Sequence, residues 1–185
     1  MRGNGLVWLV GALAAVLLAG SVYWGVQGVR GVSELAAGAR STPVPAAGEA
    51  EAVREVAAAA AVAQATFDYR RPDDRNRALA ELAAGPLRES LLAAPPDSQG
   101  VRWRLVTAGE AREVEVLEVA GASARARAVV RVTIQGLAPA GDASFTTQVD
   151  RTLLLRLRRT EAGWRVVELE VEGEQAVPPA PAGQG

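Results

Sequence analysis

The densest polar chemistry of the chain lies in Ala65 to Ser90, ATFDYRRPDDRNRALAELAAGPLRES. Its Asp68, Asp73 and Asp74 are oxygen donors of the kind that hold a hard cation. They lack the ligand spacing of a calcium loop, and Arg70, Arg71, Arg75 and Arg77 compete for the same carboxylates. Capping and salt bridging are therefore expected, and no metal. Phe67 and Tyr69 flank Asp68. Phe67 is read as part of a helical apolar stripe. Tyr69 is read as closing the end of a sheet, and is kept as a candidate for interaction. Elsewhere, Arg125, Arg127 and Arg131 recur at even spacing, which puts them on one face of a strand. Such a stripe could meet phospholipid headgroups or nucleic acid. Glu113, Glu115 and Glu118 on the preceding strand favour ordinary cross-strand pairing instead. Arg151 falls among apolar positions that should point inward. A buried guanidinium needs partners. It reads either as an anion or acidic-ligand pocket, or as a sheet-end salt bridge or bulge.

What the chain lacks narrows the chemistry further. It has no histidine and no cysteine, and the sequence shows only arginine among its 20 basic residues. The commonest general base, the commonest metal ligand, thiolate metal sites and every Ser–His or Cys–His pair are thereby removed. The inward set has no acid to abstract a proton. No glycine-rich phosphate loop or nucleophile elbow is present. No catalytic, cofactor or metal residue is expected, and the chain is read as a non-enzyme. A net charge of −1 gives no field that would draw nucleic acid.

Leu6 to Val29, LVWLVGALAAVLLAGSVYWGVQGV, is almost unbroken apolar sequence. As a helix it would extend about 36 Å, enough to cross a hydrocarbon core of roughly 30 Å. Trp8 near one end and Tyr23 and Trp24 near the other suit the two bilayer interfaces. A cleaved signal peptide, with Ala19-Gly20-Ser21 as its small residues, is the alternative. The apolar run is long for that. The expected layout is a cytoplasmic tail over 1–5, a single transmembrane helix over 6–29 and a flexible linker over 30–48. A folded unit over 49–173 and a disordered tail over 174–185 follow. Arg2 before the span and Arg30 and Arg40 after it nearly balance. The short leading tail favours a cell-membrane protein with its C-terminal domain outside the cytoplasm.

The elements that must position the candidates follow from periodicity. Val53, Val56, Ala60, Ala63 and Phe67 recur at helical steps. Pro72 breaks that helix, and Asp73 or Asp74 can cap a second with Leu79 and Leu82 on its buried side. Leu87, Leu91 and Leu92 give a third, stopped by Pro95-Pro96. After Gly100 the period becomes two. Strands are expected over Arg112–Ala120, Ser123–Gln135, Ser144–Arg159 and Trp164–Glu172, with some strand character over Val101–Val106. Gly121-Ala122 suits a hairpin. Setting Arg156 opposite Glu168 puts Leu155 on Leu169, Leu157 on Val167 and Leu153 on Val171, with Trp164 in the loop beyond. The fold class is α+β, helices packed on a curved antiparallel four-stranded sheet.

That order resembles the cone-shaped fold of nuclear-transport-factor-two-like proteins. The N-terminal span, Phe67-Asp68-Tyr69-Arg70 and the closing hairpin with Gly163, Trp164 and Val166 together resemble Mce-associated membrane proteins of actinobacteria. A similar layout occurs in extracytoplasmic scaffold subunits of type IV secretion and conjugation machines. The resemblance implies a non-enzymatic accessory or scaffold protein of a transport or conjugation complex, with protein partners and scope for homo-oligomers. A module taking a small apolar ligand or lipid in the cone is the alternative, and a cone-fold enzyme is the third reading.

Overall fold

The computed structural model of the chain describes residues 47–138 and 143–178. The expected transmembrane helix, 6–29, and most of the linker lie outside the described residues. No helix among the described residues is long and apolar enough to cross a membrane.

The chain enters the folded unit through α1 (Ala47–Ala65). A two-residue strand β1 (Phe67–Asp68) and two nine-residue helices follow, α2 (Asp74–Leu82) and α3 (Gly85–Ala93). A single turn of helix, α4 (Ser98–Arg102), leads into four long strands. These are β2 (Val106–Ala120), β3 (Ser123–Leu137), β4 (Ser144–Thr160) and β5 (Gly163–Ala176). They form one antiparallel sheet in the order β1-β2-β3-β4-β5. The sheet is curled and the helices lie on its inner face, an α+β arrangement.

The sheet has five strands rather than four. The extra one is β1, which pairs Phe67 with Thr107 and Asp68 with Val106. Two residues carry no readable period, so this strand was invisible in the sequence. It takes Phe67 out of the helix, which ends at Ala65. The expected strand character of Val101–Val106 is replaced by α4 up to Arg102. Asp97 starts that helix by accepting the Gly100 N–H at 2.9 Å.

β3 follows the alternation closely. Ala124, Ala126, Ala128, Val130, Val132 and Ile134 are all buried and point inward. The hairpin turn at Gly121-Ala122 forms with Gly121 at φ +57°, a conformation that costs glycine little. β4 turns Val149, Leu153, Leu155 and Leu157 to the same side. Its register with β5 holds at Arg156–Glu168, Leu155–Leu169 and Leu153–Val171, but Leu157 meets Val166, not Val167. A bulge between Arg156 and Leu157 absorbs the extra residue. The same bulge brings Trp164 into β5 opposite Arg159, where it is buried rather than looped over the end. β5 also continues three residues past Gly173, through Ala176, and Val177 donates to the Gln148 carbonyl at 3.0 Å.

α1 packs on β2 and β3. The face it buries is Val53, Ala57, Ala60, Ala61 and Ala65, while Val56 and Ala63 are only half-buried. An alanine-rich helix is apolar nearly all round, so its stripe has little contrast. The sheet decides, and where α1 meets β2 small residues come to close range. At Gly109 of β2 an added Cβ would lie 2.6 Å from the Ala65 Cβ and 3.1 Å from the Val62 carbonyl oxygen.

The chain leaves α4 through a Schellman-type cap. Leu105 N–H reaches the Gly100 carbonyl at 2.9 Å and Arg104 N–H the Val101 carbonyl at 3.1 Å. This cap wants glycine at its left-handed position, yet the residue there is Arg104, at φ +47°. Arg104→Gly should therefore raise stability, by about 0.5–1 kcal/mol once the greater freedom of unfolded glycine is set against the relieved strain. Urea denaturation measures it, and a loss of stability would mean that the arginine side chain contributes more than the strain costs.

Candidate functional site

Three neighbourhoods hold the residues singled out from the sequence. The first is the corner after α1. Phe67 is buried, and the Arg75 guanidinium lies over its ring with 5.1 Å to the centroid. Arg75 is paired with Asp97 at 3.6 Å, and Asp97 is the residue that starts α4. Burial pulls the Arg75 pKa below the ordinary guanidinium value, and Arg151 pushes the same way. Asp97 opposes both. Phe67, Arg75, Asp97 and Gly100 thus join β1, α2 and α4.

The three aspartates are taken up by arginines. Asp68 lies 3.7 Å from Arg70, Asp73 3.6 Å from Arg77, and Asp74 3.5 Å from Arg71. Asp68 also accepts the Arg70 backbone N–H at 2.9 Å, which tightens the turn. Among the described residues no group of three acids is placed to hold a metal ion. Asp73 occupies the N-cap position of α2, but neither it nor Asp74 makes the expected capping bond. Its φ of −86° and ψ of −15° are already helical, whereas a capping residue needs extended backbone. Tyr69 is half-buried. Its N–H donates to the Leu105 carbonyl at 3.0 Å and Arg70 covers its ring at 4.8 Å. On the third helix Leu91 is buried, but Leu92 is 55% exposed.

The second neighbourhood is Arg151, which does point inward. It donates to Glu174 on β5 through Nε and to the Gln64 Oε1 of α1 at 2.8 Å through Nη1. Glu174 lies beyond the expected end of the fold, and so no partner for this arginine is legible in the sequence. The extra length of β5 supplies it. Both side chains are largely covered, and the guanidinium closes a helix–sheet contact.

The third is the outer face of the sheet. Arg131 holds Asp150 in a two-pronged pair at 2.8 and 2.9 Å, and Arg127 holds Glu172 at 2.9 Å. The partners come from β4 and β5, not from the glutamates of β2. Glu115 does stand opposite Arg127, and Glu118 opposite Arg125. However, β2 bulges between Ala111 and Glu113 and between Val116 and Glu118, and the hydrogen bonds go the other way. Arg125 is exposed and forms no ion pair among the described residues. An open depression of about 390 Å³ is lined by Glu113, Glu115, Arg127, Val129, Thr152 and Glu172. It is polar and exposed, with no apolar wall to hold a small molecule.

No family model matches the chain, and no curated protein matches it. Solved structures do. The periplasmic domain of DotI is 22% identical over 65% of this chain and 93% of that one, with a TM-score of 0.53. This likeness establishes the shared fold. A protein assigned as an aromatic ring hydroxylase from Novosphingobium aromaticivorans is 15% identical, covering 70% of this chain and 94% of that one, at a TM-score of 0.48. An IcmL-like type IV secretion system protein from Legionella pneumophila is 15% identical, covering 72% and 95%, at 0.37.

Two outcomes follow from the geometry. Gly100 has no room for a side chain, since a Cβ there would lie 2.6 and 2.7 Å from two atoms of the Phe67 ring. Gly100→Ala should cost about 1–3 kcal/mol by overpacking, and Phe67→Ala about 3–5 kcal/mol. Unchanged midpoints in urea would show that the corner is looser than described. The Arg131 hydrogen bonds hold the Asp150 carboxyl below its ordinary pKa. Asp150 then contributes stability above the unfolded carboxylate pKa of about 3.9 and loses it as pH falls through the lower folded value. Wild type should exceed Asp150→Asn in stability at neutral pH, and the gap should close in strong acid. A gap independent of pH would contradict the pairing.

Proposed function

We propose that the chain is a non-enzymatic, single-pass membrane protein. Its folded unit stands outside the cytoplasm as an accessory or scaffold subunit of an envelope transport or conjugation complex, of Mce or type IV secretion type. The fold shared with a periplasmic domain, that of DotI, is the observation that carries this reading. The apolar run over Leu6–Val29 supports the anchor. The inward positions are mostly alanine, valine and leucine, with Ile134 and Trp164, and they bring one covered carboxylate, Glu174, beside Arg151. Cone-fold enzymes need an acid, base or nucleophile free to act in the interior, and the Glu174 carboxylate is engaged by the Arg151 guanidinium instead.

The same interior speaks against the second reading, a cone that takes an apolar ligand. Alanines of α1 and β3 are packed to full burial where such a ligand would sit. What remains for function is the outer surface, which suits a protein that works by contact.

Protease treatment of intact spheroplasts tests the placement. The folded unit should be digested along with a known external control. Survival under those conditions would put it inside. For the role, the full-length chain should cross-link in native membranes to subunits of one transporter or conjugation apparatus. Cross-links only between copies of the chain itself would contradict the accessory reading.

A further inference from the structure

Arg104 is, among the described residues, the one non-glycine with a positive φ, at +47°. A residue with a Cβ is strained there, and the cap it closes is made more cheaply by glycine. The backbone on either side is tied down and cannot relax. The Leu105 N–H reaches back to the Gly100 carbonyl at 2.9 Å. The Leu105 carbonyl accepts the Tyr69 N–H at 3.0 Å, and the Trp103 carbonyl accepts the Leu137 N–H at 2.9 Å.

What this strained turn holds up is an exposed guanidinium. Among the described residues Arg104 forms no side-chain hydrogen bond and no ion pair. The same holds for Arg102, exposed two positions earlier at the end of α4. No polar contact within the described fold therefore offsets the strain. The other charges of this corner are matched: Arg70 with Asp68, Arg71 with Asp74, Arg75 with Asp97 and Arg77 with Asp73. At the start of β2, Glu110 is paired with Arg112. The facing ends of β3 and β4, 132–138 and 144–149, carry no charged residue. Asp142, between those two strands, lies outside the described residues.

Apolar surface adjoins the two arginines. Val101 is 39% exposed. Trp103 is half-buried and meets Phe145 edge to face, with ring centroids 6.1 Å apart. Arginine and tryptophan beside an open aliphatic side chain is a composition typical of protein contact surfaces. A nucleic-acid strand asks instead for a broad basic field and a free aromatic face. Here the chain has a net charge of −1, and the Trp103 ring is engaged by Phe145.

We propose that Arg102 and Arg104, with Val101 and the rim of Trp103, form a contact surface for an acidic segment of a partner protein. Guanidinium forks match carboxylates. The tied turn presents Arg104 in a fixed position, so little ordering is left for binding to impose. Glycine at this position would serve stability better, and arginine serves contact. The proposal gives the partner a chemistry, and it rests on the accessory reading for the partner's existence.

Photo-cross-linking of the full-length chain in native membranes tests it. The photoreactive residue benzoylphenylalanine replaces Val101, or in separate preparations Leu92 or Leu117, which are exposed elsewhere on the fold. Mass spectrometry identifies the linked peptide. From position 101 it should be an Asp- and Glu-rich peptide of another protein, and salt of about 0.5 M should lower the yield. Arg104→Gly should be at least as stable as wild type in urea and yet lower that yield about tenfold or more. Arg102→Gln, which leaves the strained position untouched, should lower it similarly. Loss of contact without loss of stability is not what a purely structural arginine would show. A linked peptide without surplus acid, or a cross-link from 101 to lipid, would overturn the surface. So would a yield that neither variant moves, or cross-links from 92 or 117 alone, and in those cases the accessory reading stands. No cross-link to another protein from any of the three positions would overturn both. A stability loss in Asp142→Asn that disappears in the Arg104→Gly background would show that the arginine serves the loop, and would also overturn the proposal. So would retention of a fluorescent oligonucleotide by the detergent-solubilised chain that Arg104→Gly abolishes.

Discussion

The contact between α1 and the sheet is made mostly of small side chains, and the rest of the structure is arranged around it. Ala57, Ala60 and Ala61 on the helix and Ala126 and Ala128 on β3 are wholly buried. Larger side chains would hold the two layers apart and leave a hollow. Small ones let the helix come down onto the strands, with Gly109 admitting it at β2. The bulky core then sits to one side, where Leu153, Leu155, Leu157, Trp164 and Val166 pack, with α3 set against β5. Each methyl contributes little burial, so the close approach must be kept along the length of α1. Two polar contacts fix its ends: Glu49 on Arg159 at the start and Gln64 on Arg151 near the finish.

Much of this was legible because β3 alternates without a break. Its alanines and valines face one way and its arginines the other, so the inward set and the hairpin at Gly121 follow from period two alone. The face of α1 was not legible, since alanine on every side gives a helix no preferred stripe. β1 was hidden by its brevity, and its loss from view is what left Phe67 on the helix. The bulge after Arg156 moved Val166 into the place expected for Val167. No residue type announces a bulge of that kind; it arises from how the two strands meet.

The candidate residues were found more readily than their partners. Arg151 reads as an inward charge from the alternation of β4, but Glu174 falls in the expected tail, which hides the pair. Arg127 and Arg131 share one face, as their even spacing implies. Their acids came from β4 and β5, because side chains reach diagonally across a twisted sheet and register alone does not choose among acids within reach. Arg158 and Arg165 carry no signal individually, and Arg156 enters the sequence reading only as the partner of Glu168. Only the pairing of β3, β4 and β5 assembles them beside Arg125. An interior of mostly small apolar side chains, with its Arg151 held by Glu174, and a charged exterior suit a protein that acts through its surface.

The central claim is that the space between α1 and the sheet is filled by small residues and is not a ligand chamber. Ala126→Leu tests it directly, through the stability of the folded unit in urea. If the seam is closed, three added carbons have nowhere to go. The variant should then lose about 1–3 kcal/mol or more by overpacking. Stability that is unchanged or raised would show that the interior has room for a leucine, and a binding chamber would then replace the scaffold account.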